Sequence, residues 1–503
     1  MANSNSSFFA SSRLTLILSL VILFSLGLAV RLYDVTDLPL DFHPTRQLLS
    51  ELKARGMYYQ IEGGVPEWQR KMAIQQWKSK AEVEPEVFEQ LVALTYRWTG
   101  VQIWVARAYA SLFWLVGGLF LFMLVRDLIS PDGAIVAAAY FVFLPYAVFA
   151  SRSFQPDVLM IMLVICFWWL VMRWAKTEGW AWAILAGLVG GLAIYVKFVA
   201  AFFVIGAALG AALGSADWKL FRKPQTWVMV ALGILPAAIY IYYGVVERSF
   251  LGRQFSGRFL PALLLSPLNY LQWSSLADMA AGGLAIAFGL VGLLLARDRR
   301  VRAFLGALWI SYVVFGLVFD YHVATHDYYH LPLIAIVAVS LAPLAGLVLS
   351  SMGSAIPRAG ARLAVAVVLL YAVLAAAWSV REQLKAIDYR PQVQMWAQIG
   401  DQLRHGPNVV ALTQDYGSRL AYWGWQNAII WPNSGDTDYH EARGGSIDFE
   451  ELFSKLTVGN AYFLVTDFDE LQRQPQLKTR LADFAVYAQG GGYVIYDLQR
   501  PLD

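Results

Sequence analysis

The chain has 503 residues, of which 58% are apolar and 15% charged, with a formal net charge of +3 and a mean hydropathy of +0.50. That balance excludes an ordinary soluble globular protein, and so small a net charge, spread over many loops, points away from nucleic acid. The single cysteine, Cys166, lies inside an apolar run, which excludes a disulfide framework and a thiolate metal cluster.

Apolar runs of about 20 residues recur along the chain, and each is long enough to cross a hydrocarbon core about 30 Å thick as a helix. In chain order they predict spans near 14–32, 101–126, 132–150, 157–175, 179–196, 198–214, 226–244, 277–297, 302–320, 331–350 and 362–379. The expectation is therefore a polytopic α-helical membrane protein with about 11 transmembrane helices. The first run has no small-residue cleavage site and is expected to remain as an anchor. Residues 180–214 are too long for one span, and the break is placed at Lys197, because a lysine in mid-membrane costs about 3 kcal/mol on insertion scales.

With the N-terminus inside, Arg126, Arg173, Lys176, Lys219, Arg222, Lys223, Arg297, Arg299, Arg300, Arg302, Arg358 and Arg362 all fall in inner loops, as the positive-inside rule requires. The segment 33–100 and the C-terminal tail then lie outside. Within 33–100, residues 44–60 and 67–98 read as two amphipathic helices along the outer interface, with Trp68, Trp77 and Trp98 at headgroup level. An external insert, 245–276, places three arginines before an apolar run too short to span, as in a re-entrant or interfacial helix. From residue 388 the composition becomes globular: NVVALT, NAIIW and NAYFLVTD read as buried strands, and VYAQGGGYVIYDL as a closing hairpin. The expected domains are 1–387, transmembrane, and 388–503, a small extracytoplasmic α/β domain.

This topology gathers unusual polar groups on one face. They are Asp41, His43 and Arg46 in LDFHPTR; Arg107 inside the second span; Arg152 and Asp157 in SRSFQPD; Lys197; and Asp320, His322, His326, Asp327, Tyr328, Tyr329 and His330 in FDYHVATHDYYH. Ionisable groups near membrane depth are costly, so such a set marks a candidate site. Each member also has a plain structural explanation. Asp41 ahead of Pro44, and Asp157 behind Pro156, both suit a helix N-terminus. Arg107 and Lys197 can snorkel to headgroups, and the tyrosines fit an interfacial belt. As chemistry, a carboxylate can take a proton from a hydroxyl nucleophile while Lys, Arg and His neutralise a phosphate leaving group. That is group transfer from a lipid phosphate.

The order of LPLDFHP, EPEVFEQLVALTYRWTG, WVARAYASLFWL, SRSFQPDVLMIML, AILAGLVGGLAIYVKFVA and HDYYHLPLIAIVAVSLAPLAG resembles the GT-C glycosyltransferases of the protein O-mannosyltransferase and aminoarabinose transferase type, over about residues 12–380. The resemblance implies a GT-C bundle and a polyprenyl-phosphate monosaccharide donor. It also implies transfer that inverts the anomeric centre, with Asp41 as catalytic base or acceptor-positioning acid. Lys197 and the HDYYHLP loop would then lie near the lipid phosphate. Phe42 stands where the protein mannosyltransferases carry the second acid of an Asp-Glu pair, so the acceptor stays open among glycan, lipid and protein, and the resemblance does not extend to His43 and Arg46. The expected site is Asp41, His43 and Asp157 for catalysis, with Arg46, Arg107, Arg152, Lys197, His326, Tyr328, Tyr329 and His330 for the lipid phosphate and sugar. No cofactor is expected, since basic side chains can replace a metal. The alternative is a divalent cation, Mg²⁺ or Mn²⁺, shared by Asp41 and Asp157. The competing functions are a flippase that moves a lipid-linked sugar without bond chemistry, and an accessory subunit that has lost catalysis. The expected location is a bacterial plasma membrane, with the site facing the periplasm or exterior.

Overall fold

The computed structural model describes residues 7–9, 12–80, 84–215, 220, 222–251, 260–355, 359–442 and 444–502. Lys219 and Arg358 of the inner loops, and Arg253 and Arg258 among the three arginines of the insert 245–276, lie outside these residues. The chain divides into two compact units. The first holds residues 1–35, 81–88 and 104–386, and the second holds 36–80, 89–103 and 387–503. The C-terminal division falls at 386/387, one residue from the expected boundary, while residues 36–80 and 89–103 of the loop 33–100 group with the C-terminal segment and not with the spans.

In the first unit, seven of the described helices are long and apolar enough to cross a membrane, or eight if a bent pair counts as one span. Three further apolar helices, Pro131–Phe143, Trp180–Val196 and Ala200–Ser215, are shorter. The expected span 132–150 is interrupted because Pro145 cannot continue the helix, and Leu144 before it is extended (ψ 124°). The break at Lys197 is present: one helix ends at Val196 and the next begins at Ala200. The expected span 277–297 differs most. A helix Pro267–Ala281 stops at Gly282, whose φ of +80° suits glycine, and Gly283–Leu295 leaves at a bend of 88°.

The bundle is packed through small residues, as lipid-embedded helices require when no hydrophobic effect drives them together. A Cβ on Gly191 would lie 2.3 Å from the Leu232 carbonyl oxygen, and one on Gly292 would lie 1.9 Å from that of Ser340. These glycines are the places where Trp180–Val196 meets Pro224–Tyr242, and where Gly283–Leu295 meets Leu331–Ala355.

The second unit is built on a five-stranded sheet of order β2-β1-β3-β5-β4. Its strands are β1 Val409–Leu412, β2 Ile429–Ile430, β3 Tyr462–Val465, β4 Phe484–Gly490 and β5 Tyr493–Pro501. β1 runs parallel to β2 and β3, whereas β5 is antiparallel to both β3 and β4. The two-residue turn between β4 and β5 uses Gly491 and Gly492, the latter at φ +98°. Both faces of the sheet are covered: Val409 and Ala411 pack with Trp396, Ile399 and Leu420, while Val410 and Leu412 pack with Trp431, Phe453 and Phe463.

Helix Pro44–Ile61 is a core element of this unit and not an interfacial helix, being buried on all sides from Ser50 to Met57. Leu38, Leu40, Leu48 and Leu52 form one apolar cluster with Ala421 and Tyr422. Arg55 crosses the interior, donating to the carbonyls of Tyr422 (2.5 Å) and Ala421 (3.0 Å) and to Gln76 (2.7 Å), with its guanidinium 3.9 Å from the Trp425 ring centroid. Burial pulls its pKa down to about 10. The expected helix over 67–98 is two helices, Glu67–Lys78 and Val87–Thr99.

Candidate active site

In the membrane-spanning unit the centre of the site is an ion pair. Pro156 starts the helix Pro156–Thr177 and places Asp157 in its first turn. Lys197 caps the C-terminal end of Trp180–Val196 with extended backbone (φ −156°, ψ 120°). Its ammonium donates to both Asp157 oxygens at 2.8 Å. The two side chains are only 5% and 4% exposed, and a Glu84 carboxylate oxygen lies 3.7 Å from the Lys197 nitrogen. The Tyr328 and Tyr329 ring centroids stand 5.3 and 5.4 Å from the same nitrogen, within cation–π range.

Behind this pair the histidine loop is ordered by its own bonds. His330 is fully buried: its Nε2 faces the Val323 carbonyl at 2.9 Å and its Nδ1 the Tyr312 hydroxyl at 2.7 Å. A carbonyl only accepts, so Nε2 carries the proton and Nδ1 accepts from Tyr312, whose oxygen in turn accepts from Trp273 Nε1 at 2.8 Å. Both nitrogens of His330 are thereby used inside the protein. His326 bonds the Thr325 hydroxyl through Nδ1 (2.8 Å), and its ring stacks near His322 at 5.7 Å.

Arg152, fully buried, donates to the backbone carbonyls of Arg31 (3.0 Å), Tyr33 (2.5 Å) and Asp34 (3.2 Å). Arg107 is buried near the start of Ile103–Leu128. The structure thus brings Asp157, Lys197, Tyr328 and Tyr329 together and gives Arg152 and His330 backbone or side-chain partners of their own. Asp41, His43 and Arg46 belong to the other unit. There His43 precedes helix Pro44–Ile61 in the left-handed region (φ +45°) and packs edge-on against Phe42 at 4.5 Å. The Tyr389 phenol is pushed up in pKa by burial first and then by the Asp41 charge, so the carboxylate and the phenol are neighbours.

Sequence reasoning missed Glu84, Tyr312 and Trp273. Glu84 had a signal, the acidic stretch EVEPE, but nothing local ties it to a lysine 113 positions later. Among the described residues no group of three His, Cys, Asp or Glu side chains is arranged to hold a metal ion.

The family model for dolichyl-phosphate-mannose-protein mannosyltransferase matches residues 83–243. No curated protein matches the chain. ArnT from Cupriavidus metallidurans, solved with bound undecaprenyl phosphate, is similar over 95% of this chain and 97% of its own, at 16% identity and a TM-score of 0.59. The oligosaccharyltransferase AglB of Archaeoglobus fulgidus, solved with an inhibitory peptide and a dolichol-phosphate, matches 96% of this chain and 74% of its own, at 12% identity and a TM-score of 0.53. The mycobacterial arabinofuranosyltransferase AftD matches 97% of this chain but 41% of its own, at 17% identity and a TM-score of 0.51. The fold is that of the GT-C membrane glycosyltransferases.

Proposed function

We propose that this chain is a membrane glycosyltransferase that moves a monosaccharide from a polyprenyl-phosphate carrier to a hydroxyl acceptor at the extracytoplasmic face of the membrane. The observation that carries the reading is the buried Asp157–Lys197 pair beside Glu84, Tyr328 and Tyr329. A buried ammonium is expensive, and stability alone favours apolar residues in its place, so its retention suits a site that must meet an anion. The ArnT and AglB structures hold polyprenyl phosphates, which agrees with such a donor.

In this mechanism the acceptor oxygen attacks the anomeric carbon. The bond from that carbon to the phosphate oxygen breaks, and polyprenyl phosphate departs with the electron pair. Lys197 neutralises the charge growing on the departing phosphate, and Asp157 holds the ammonium in place. Tyr328 and Tyr329 wall the cation with aromatic faces. Asp41 takes the acceptor proton, a role assigned on the chain order shared with the resembled family. His330 and Arg152 hold the loop and the helix ends that carry the site. No metal enters these steps, because Lys197 supplies the positive charge.

The test is mass spectrometry of polyprenyl-phosphate lipids from cells carrying the wild-type chain, a deletion, Lys197→Met or Asp41→Asn, at matched protein levels. Accumulation of one sugar-lipid in all three mutants is expected, and its mass names the donor. A deletion that changes the lipids while both point variants behave as wild type would favour transport without bond chemistry.

A further inference from the structure

The LDFHPT segment is gripped from both ends by the C-terminal part of its own unit. At its start, Asp37 Oδ1 accepts from the Leu38 N–H (2.8 Å) and the Tyr389 N–H (3.1 Å). At its end, the Thr45 hydroxyl donates to Asp415 Oδ1 at 3.1 Å. The second Asp415 oxygen accepts from Arg419 Nε at 2.5 Å, and the same guanidinium reaches Gln392 at 3.0 Å. The Arg419 and Asp415 side chains are only 16% and 12% exposed.

Backbone strain collects at this junction. His43, Asp415 and Tyr416 have φ of +45°, +53° and +52°, a left-handed conformation that costs a side-chain-bearing residue about 1–2 kcal/mol and persists only where surrounding contacts impose it. Asp41 lies inside this clamp, between buried Leu40 and strained His43. Its charge and that of Arg419 act in opposite senses on the Tyr389 phenol, so all three share one neighbourhood.

We propose that Arg419 is a positioning residue for Asp41: through Asp415 and Thr45 it fixes the turn that presents the carboxylate, which gives the C-terminal domain a role in catalysis. The inference rests on the transferase reading above, in which Asp41 is the acceptor-side base. A guanidinium fork is needed because it bonds Asp415 and Gln392 in one plane, and an ammonium offers no such fixed geometry. Without it Asp415 turns, Thr45 loses its acceptor, and the left-handed His43 relaxes. A displacement on the order of 1 Å at a reacting group costs about 10²-fold in rate.

The experiment measures turnover by the purified full-length chain. The donor is the polyprenyl-phosphate sugar isolated from deletion cells, and the acceptor is an envelope extract of the same cells. Arg419→Gln is expected to lower kcat by about 10²-fold with the donor KM unchanged. The double variant Asp41→Asn/Arg419→Gln is expected to be no slower than Asp41→Asn alone, because a residue that acts through Asp41 has nothing left to act on. Thr45→Val keeps the Arg419–Asp415 pair intact and removes only the link; it is expected to show a smaller loss of the same kind, and decides the matter should Arg419→Gln fail to fold. Equal fold-losses from Arg419→Gln on the wild-type and Asp41→Asn backgrounds would overturn the proposal, as would a Thr45→Val enzyme of wild-type rate. A wild-type chain that consumes no donor would overturn the transferase reading and this inference with it.

Discussion

Replacing Lys197 with methionine removes one charge, keeps most of the volume, and leaves the buried Asp157 and Glu84 without the ammonium that faces both. With Nζ 2.8 Å from both carboxylate oxygens, the gross attraction is about 6 kcal/mol at an effective dielectric of about 20. Desolvation offsets much of that in the intact pair, but the orphaned carboxylate retains its own cost, so the single variant is expected to lose about 3–5 kcal/mol. Asp157→Asn alone leaves a buried ammonium and is expected to lose a similar amount. The double variant Asp157→Asn/Lys197→Met is neutral on both sides and should recover most of the stability. Thermal unfolding of the detergent-purified chain measures this cycle, and donor-lipid consumption by the same samples measures function. Stability restored with turnover still absent is the expected pattern, since the cation proposed to meet the phosphate is gone. A double variant that consumes donor at the wild-type rate would refute the reasoning, because the pair would then be a folding device only. A Lys197→Met chain as stable as wild type would refute the burial argument itself.

Tyr312→Phe removes the hydroxyl between Trp273 and His330 and is expected to cost about 1–3 kcal/mol, read as a lower thermal midpoint, because two buried polar groups lose their partner. Gly191→Ala drives a methyl into the Leu232 carbonyl and is expected to lower stability by about 1–3 kcal/mol, whereas Gly306→Ala, which meets nothing within 4 Å, is expected to be neutral. Stability should fall as pH rises through 10: Tyr96 and Tyr422 keep their protons in the folded state well above that pH, and the unfolded chain releases them there. Arg55, lowered to about 10, opposes this, since above that pH the folded state has lost a proton that the unfolded chain keeps. Two protons against one leave a net loss of about 1.4 kcal/mol per pH unit, so an unfolding midpoint that climbs between pH 10 and 11 would contradict the burial of these phenols. EDTA is expected to leave donor consumption unchanged; loss of turnover with recovery on adding Mn²⁺ or Mg²⁺ would contradict the assignment of the site's positive charge to Lys197.

The local parts of the structure were legible because they are written locally. The apolar runs locate the helices, Lys197 marks a helix break, Pro156-Asp157 marks a helix start, and the triple glycine between two alternating segments marks the hairpin. What was hidden depends on distance along the chain. Leu38 and Leu52 share a cluster with Tyr422, about 370 positions away, and no periodicity announces such a pairing. Helix Pro44–Ile61 was misread for the same reason. Its charges suggested a wet face, but Glu51 and Arg55 are buried, with Tyr96 donating to Glu51 at 2.8 Å and Tyr422 and Gln76 receiving Arg55. The histidine loop shows the converse. His326, Tyr328, Tyr329 and His330 all looked available for a substrate, yet His330 has both nitrogens committed, to Tyr312 and Val323, which only the folded chain brings to it.

Arginines in this bundle illustrate why charge near membrane depth has to be sorted by its partners. Pro145 has no N–H and so cannot bond the Phe141 carbonyl, which instead accepts from Trp114 Nε1 at 2.9 Å. The next carbonyl, Val142, accepts from Arg31 at 2.9 Å, and Arg31 also reaches Gly27 O (2.9 Å) and Ser151 (2.7 Å). Arg152 then bonds the carbonyls at and beyond the end of the first helix, the groups that a helix C-terminus leaves without intrahelical donors. These two side chains answer a demand of the backbone: both donate to carbonyls, and Arg31 also to the Ser151 hydroxyl. Lys197 differs in kind: it is directed at a carboxylate, a partner that carries a full charge and that an incoming phosphate can replace like for like. Carbonyl bonds occupy donors without supplying a formal negative charge, whereas the role proposed for Lys197 exchanges one full anion for another. All three cations are single basic residues at the end of an apolar run, and sequence gives them the same standing. Only the identity of the oxygen each one faces separates the cation proposed to meet substrate from the two that hold the helices.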